Sequence, residues 1–186
     1  MLLFVGLGNP TPDSEQNRHN VGFKIIDSIN KKFSLSKQKP KFKGLLTTGN
    51  VNEQKVYAIK PLTFMNSSGV CIRELIEYFK IDVEDVIVFH DDLDVEFGKI
   101  KTKFSGSSAG HNGIASIDKF IGKDYSRVRI GIGKPKNNIE IGDYVLQNFD
   151  DDEIIELEKI IKNIVDSISI LVDKKLDLFS STVNNK

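Results

Sequence analysis

The chain has 186 residues, 39% of them hydrophobic and 28% charged, which is enough for one sizeable core and no more than an ordinary single domain. Its formal net charge of zero hides an asymmetry: residues 150–186 hold nine of the 26 acidic side chains but only five of the 26 basic ones, leaving the front of the chain mildly positive. A lone cysteine, Cys71, excludes an intramolecular disulfide and fits a reducing cytoplasm, and with no basic leader and no apolar run near about eighteen residues, neither secretion nor membrane insertion is expected.

In chain order, Leu2 to Val5 reads as a buried strand that stops at Gly6, Gly8, Asn9 and Pro10, where turn residues take over. Arg18-His19-Asn20 follows directly before a helical pattern. Asn20 is the expected N-cap, with Gly22, Ile25, Ile26, Ile29 and Phe33 on one face, so His19 sits at the positive end of that helix. In open α/β sheets, ligands bind at the edge where strands end. Lys31 to Gly44 is basic and broken by proline, and is expected to be a loop. Gly44 to Thr48 and Lys55 to Lys60 read as a hairpin about Gly49-Asn50.

The stretch Pro61-Leu62-Thr63-Phe64-Met65-Asn66-Ser67-Ser68-Gly69 is a second strand exit, leading into a helix with Cys71, Ile72, Leu75, Ile76 and Phe79 on its apolar stripe. Cys71 therefore reads as a small buried hydrophobe rather than a nucleophile. Val86 to Phe89 is the candidate central strand, ending in His90-Asp91-Asp92-Leu93-Asp94. Lys99 to Phe104 alternates, with Lys99, Lys101 and Lys103 on one face, and runs into the small-residue loop from Ser105 to Gly113. Ile114, Ile117, Phe120 and Ile121 mark a further helix, and Arg127 to Gly133 a strand with Arg127 and Arg129 opposite Val128 and Ile130. Asp151 to about Lys174 reads as one long packing helix with an acidic first turn, and residues 176–186 as a frayed tail.

Only three histidines occur, His19, His90 and His111, each beside an amide or a carboxylate at a strand exit or helix start. The ordered set GLGNP, NRHN, PLTFMNSSG, HDDLD, SSAGHNG and RVRIGIG resembles the bacterial-type peptidyl-tRNA hydrolase family from about Leu2 to Val172. That resemblance implies an α/β fold of one domain over 1–186, with a twisted mixed sheet and helices on both faces, monomeric and without metal or cofactor. It implies hydrolysis of the ester joining a peptide to the 3′ ribose of tRNA, recycling the tRNA in the cytoplasm. It also implies His19 as general base on a water, Asp91 as the carboxylate that orients it, and Asn9 as the amide at the water or oxyanion. Asn66 and Asn112, with Phe64 and Met65, would bind the peptidyl part. Lys103 and Arg129 would clamp tRNA phosphates, assisted by Lys99, Lys101 and Arg127.

Three positions depart from the family pattern: Thr11, Ser14 and Asn17 stand where a glycine, an aromatic and a threonine are usual. A dinucleotide fingerprint on Gly6-Leu7-Gly8 fails because the third glycine is missing and Pro10 stands where the phosphate-binding helix would start. A metal site on His90, Asp91, Asp92 and Asp94 has suitable ligand types but no evident convergence, and Asp92 and Asp94 serve equally well as turn residues. The competing functional class is a non-catalytic RNA-binding protein of the same fold.

Overall fold

The structure is a computed structural model that describes all 186 residues, Met1–Lys186. One seven-stranded sheet, of order β2-β3-β4-β1-β5-β7-β6, runs through the molecule. β1 (Leu2–Gly6) lies at its centre, parallel to β4 (Gln54–Pro61) on one side and to β5 (Val86–Asp92) on the other. β7 (Ser126–Gly131) continues the parallel set, and β6 (Ile100–Phe104), β3 (Gly44–Val51) and the short β2 (Lys39–Lys41) add antiparallel edges.

Alternation along β1 shows how the sheet is covered. Leu2 and Phe4 point into a core shared with α1 (Val21–Lys32) and α5 (Asp151–Asp166), while Leu3 and Val5 point into a second core with α2 (Ser68–Phe79) and α3 (Asn112–Ile121). Helices thus cover both faces, so the central strands read as unbroken apolar runs. Cys71 is fully buried in the second core, where burial, and then the charge of Glu74, push its thiol up to about 12, as an inert packing residue requires.

Where the chain departs from the expected elements, tertiary contacts explain why. The hairpin turns at Asn52 and Glu53 rather than at Gly49-Asn50, because Asn52 takes the left-handed conformation (φ 50°) and Gly49 stays within the β3–β4 ladder. The basic stretch 31–44 contributes β2. The long helix breaks at buried Ser167, giving α5 and then α6 (Ile168–Val172). Between β7 and α5 the chain also forms a short helix, α4 (Ile141–Val145).

The expectation of a frayed tail is corrected: Leu176–Asn184 forms α7. Phe179 and Val183 insert into the α1-side core, and the Asn184 amide makes two 2.9 Å bonds, accepting from the Ile100 N–H and donating to the Ile100 carbonyl. Asn184 thereby satisfies groups on β6, an edge strand that would otherwise be open to pairing with another chain. Replacing Phe179 with Ala should destabilise the protein by about 3–5 kcal/mol in urea titration, the range for a fully buried aromatic. A loss below about 1 kcal/mol would mean that α7 is not docked.

Candidate active site

The site lies where β1 and β5 end. Gly6 of β1 is level with Phe89 of β5, so His90 and Asp91 extend one and two residues past the end of β1. α1 starts against this step at very close range. A Cβ on Gly22 would lie 2.4 Å from the Leu7 nitrogen and 2.5 Å from the Phe89 carbonyl oxygen, and one on Gly6 would lie 2.2 Å from the Gly22 carbonyl. Only a glycine pair lets the 18–20 turn, directly before α1, rest on the strand ends and bring His19 over Asp91.

The carboxylate of Asp91 is buried between two imidazoles. His19 Nδ1 lies 2.8 and 2.9 Å from its two oxygens, and His111 Nε2 lies 2.9 Å from Oδ1. His111 also caps α3 by accepting the Ile114 N–H on Nδ1 (3.2 Å), so its proton must sit on Nε2 and be donated to Asp91. With His19 donating from Nδ1, its Nε2 is left as a lone-pair acceptor. Burial alone would push the Asp91 carboxyl up, but the charge and hydrogen bonds of the two facing imidazoles outweigh it and hold the group well below the usual carboxylate range.

His90 is the third ring of the cluster, edge-on to His111 at 4.9 Å, with Nδ1 2.8 Å from the Asp91 carbonyl oxygen. Burial pushes it down to about 3, with nearby His111 adding to the effect, so it remains a neutral spacer. The proposed ligand set from His90 to Asp94 does not converge: Asp92 pairs with Arg129 at 2.8 Å and Asp94 with Lys134 at 3.5 Å. The set of possible metal-ligating atoms that does cluster, within 4.8 Å, is on His19, Asp91 and His111, where the carboxylate oxygens already accept hydrogen bonds from both rings.

Asn9 is held from two sides. Its backbone N–H donates to Asn20 Oδ1 and its carbonyl accepts from Asn20 Nδ2, both at 2.9 Å. Asn20 is therefore not the side-chain cap of α1 that its position implies; its amide crosses to the β1 exit instead. Asn9 Oδ1 accepts the Met65 N–H at 2.8 Å, which leaves its NH₂ free to donate. Met65 is buried and touches the α3 start near Gly113, whereas Phe64 before it is 52% exposed and takes φ 62°. A non-glycine residue at such a φ is strained, and here the strained turn delivers the Met65 N–H to Asn9. Asn66 and Asn112 both present exposed amides. Asn112 lines the same cavity of about 410 Å³ as His19, Asp91 and His111, while Asn66 follows Met65 in the adjoining turn.

The cations sort into two groups. Lys101 and Lys103 are exposed on β6, and Lys101 lies across the strand pair from Arg129, which keeps partial exposure while its Nε bonds Asp92. Arg127 does not belong with them: it is buried, donating to the Gly106 and Ser107 carbonyls and pairing with Asp118 at 3.0 Å, so it anchors the 105–111 loop. Arg18 is likewise internal. It pairs with Glu153 at 2.7 Å, donates to the carbonyls of Gln147 and Asn148, and stacks on Tyr144, tying the chain before α5 to the turn that carries His19.

An oriented imidazole with one free nitrogen and, tied through Asn20 to the same turn, an amide with a free NH₂, at the C-terminal edge of an open α/β sheet are equipment for adding water to a carbonyl. The relatives agree with that class. A family model described as peptidyl-tRNA hydrolase matches residues 3–186. Over its full 186 residues the chain is 81% identical to a peptidyl-tRNA hydrolase of Pelagibacter ubique, covering all of both chains. It is 43% identical to one of Ehrlichia canis, covering 98% of this chain and 94% of that one. The crystal structure of the Acinetobacter baumannii enzyme superposes with a TM-score of 0.92 at 32% identity, covering 99% of this chain and 94% of that one. The chain belongs to the peptidyl-tRNA hydrolase family.

Because the native state holds His90 neutral while an unfolded histidine takes up a proton near pH 6.5, the unfolded chain binds more protons between about pH 3 and 6.5. Stability should therefore be fully present above pH 6.5 and fall as the pH drops through that window, by at most about 1.4 kcal/mol per pH unit. Denaturant titrations from pH 4 to 7 should show a shallower slope for His90→Gln than for wild type. Equal slopes would contradict the neutral, buried state of His90.

Proposed function

We propose that the protein hydrolyses the ester between the C-terminal carbonyl of a peptide and the 3′ ribose of tRNA. The observation that carries this reading is the fixed polarity of the Asn9–His19–Asp91 set, in which the His19 Nε2 lone pair and the Asn9 NH₂ are the two groups left unspent. His19 Nε2 takes a proton from water as the water attacks the ester carbonyl. Asp91 keeps the proton of the neutral ring on Nδ1 and stabilises the imidazolium as it forms, and a base of this kind contributes on the order of 10²–10⁴-fold. The Asn9 NH₂ donates to the attacking water or to the carbonyl oxygen as charge develops there, at no cost of reorientation because Asn20 and Met65 already hold it. The proton on Nε2 then passes to the ribose oxygen as the ester bond breaks, freeing peptide and tRNA with no covalent intermediate and no metal or cofactor.

Asn66 and Asn112, with Phe64 and Met65, form the surface on which the acyl part is positioned. Exposed amides suit a substrate made of amides, and they favour it over an aminoacyl ester, whose charged, hydrated α-amine is costlier to bury. Lys103 and Arg129, with Lys101 beside them, contact phosphates without reading sequence, so affinity falls steeply with salt. The protein works as a monomer in the cytoplasm.

Purified wild type should release N-acetyl-aminoacyl groups from tRNA over many turnovers, spare aminoacyl-tRNA with a free amine, and keep its rate with a chelator present. His19→Ala should lose at least about 10²-fold in kcat while retaining its melting temperature and tRNA affinity. Undiminished turnover by His19→Ala would defeat the assignment, and failure of the wild type to cleave would return the fold to the non-catalytic RNA-binding class.

A further inference from the structure

Two cavities flank the 18–20 turn. One, of about 410 Å³, holds His19, Asp91, His111 and Asn112 and includes Lys134. The other, of about 870 Å³, begins at Asn9, Pro10 and Asn20 and runs between α1, α5 and the end of β4. The turn gives His19 to the first and Asn20 to the second, and Asn20 is the residue that clamps Asn9. An ester has two arms, and the two cavities leave the reacting position in different directions.

Resting on the hydrolase reading, we propose that the larger groove is a binding site for the upstream residues of the peptide, the ones beyond the residue esterified to tRNA. Its chemistry fits a polypeptide of varied sequence and opposes RNA. The floor carries Phe23, Leu45, Leu62, Ile161 and Val165, apolar surface that a peptide side chain can cover. Its four lysines face four carboxylates: Lys60 pairs with Asp27 at 2.6 Å, Lys162 and Lys32 share Asp166 at 2.6 and 3.2 Å, and Lys24, which has no acidic partner, donates to the Gln16 side-chain oxygen at 2.7 Å. Glu15 and Glu158 on the rim add carboxylates that repel phosphates. The exposed cations Lys101, Lys103 and the partly exposed Arg129 lie instead on β6 and β7, beyond β5 from α1. The groove's own charges balance, four lysines against four carboxylates, so the peptide is placed along α1 and α5 and the RNA on the β6–β7 side.

The site predicts sensitivity to peptide length. With substrates matched for tRNA and for the esterified residue, wild type should cleave an N-acetylated tetrapeptidyl-tRNA with kcat/KM about tenfold above the N-acetyl-aminoacyl-tRNA, a gain in the range that apolar pocket contacts give. Ser28→Trp, which fills the groove from a half-buried position on α1, and Leu62→Asp, which places a charge on its floor at an exposed turn residue, should each bring that ratio to about one. In the His19→Ala protein, a benzophenone side chain at the fourth residue from the ester should label α1 or α5. Cleavage of both substrates at equal rates by wild type, or labelling of the 105–112 loop or β6, would overturn the groove assignment alone. Failure of wild type to cleave either substrate would overturn the hydrolase reading itself.

Discussion

A buried carboxylate that receives an N–H from each of two histidines is the interaction on which the rest of the site depends. Asp91 can stay ionised away from water only because its oxygens are occupied by His19 and His111; in return it fixes the tautomer of His19, while that of His111 is set by the Ile114 N–H on its Nδ1 as well. The fold supplies the three members from separate elements: the turn before α1, the end of β5 and the start of α3. Their meeting rests on backbone packing rather than on side chains, since Gly6 and Gly22 let α1 approach the strand ends more closely than any Cβ would allow. The chemistry of the site is therefore tied to the packing of the central strand.

The amide at Asn9 shows the same economy. Its backbone is held by Asn20 and its side-chain oxygen by the N–H of Met65, which a strained Phe64 aims into place. Every polar atom except the NH₂ then has a partner inside the protein, and preorganisation of this kind is what lets a neutral donor stabilise developing charge. Arg18 and Arg127, two cations beside or near the site, serve the scaffold: each is buried and spends its guanidinium on carbonyls and a carboxylate of neighbouring segments.

Much of the fold is legible from periodicity alone. β1, β5 and β7 show as apolar or alternating runs, and α1, α2 and α3 as three- and four-residue stripes, because each lies against a core that demands those patterns. What escapes local reading is set by distant contacts. Residues 176–186 look like a polar tail because only Phe179 and Val183, with the partly buried Leu176, carry the apolar face of α7, and the edge of β6 that Asn184 satisfies lies 84 residues away. Asn20 has the composition and position of a helix cap, yet a closer partner in space, the backbone of Asn9, takes its amide. His19, Asp91 and Asn9 stand out through their motifs. His111 is visible only as a histidine in a loop, since nothing nearby in the chain shows that it shares Asp91 with His19. Arg127 alternates with Arg129 at two-residue spacing and faces the same side of β7, but the 105–111 loop folds over one and leaves the other partly open.

The polarity of the histidine pair is the point on which the chemistry turns, and ¹⁵N NMR of the imidazole rings at neutral pH reads it directly. The arrangement requires neutral His19 to carry its proton on Nδ1 and His111 on Nε2, with the His19 assignment lost in Asp91→Asn. A neutral His19 protonated on Nε2 in the wild-type protein would contradict it, because the ring's lone pair would then sit on Nδ1 against Asp91 and not face the water that the proposed mechanism activates.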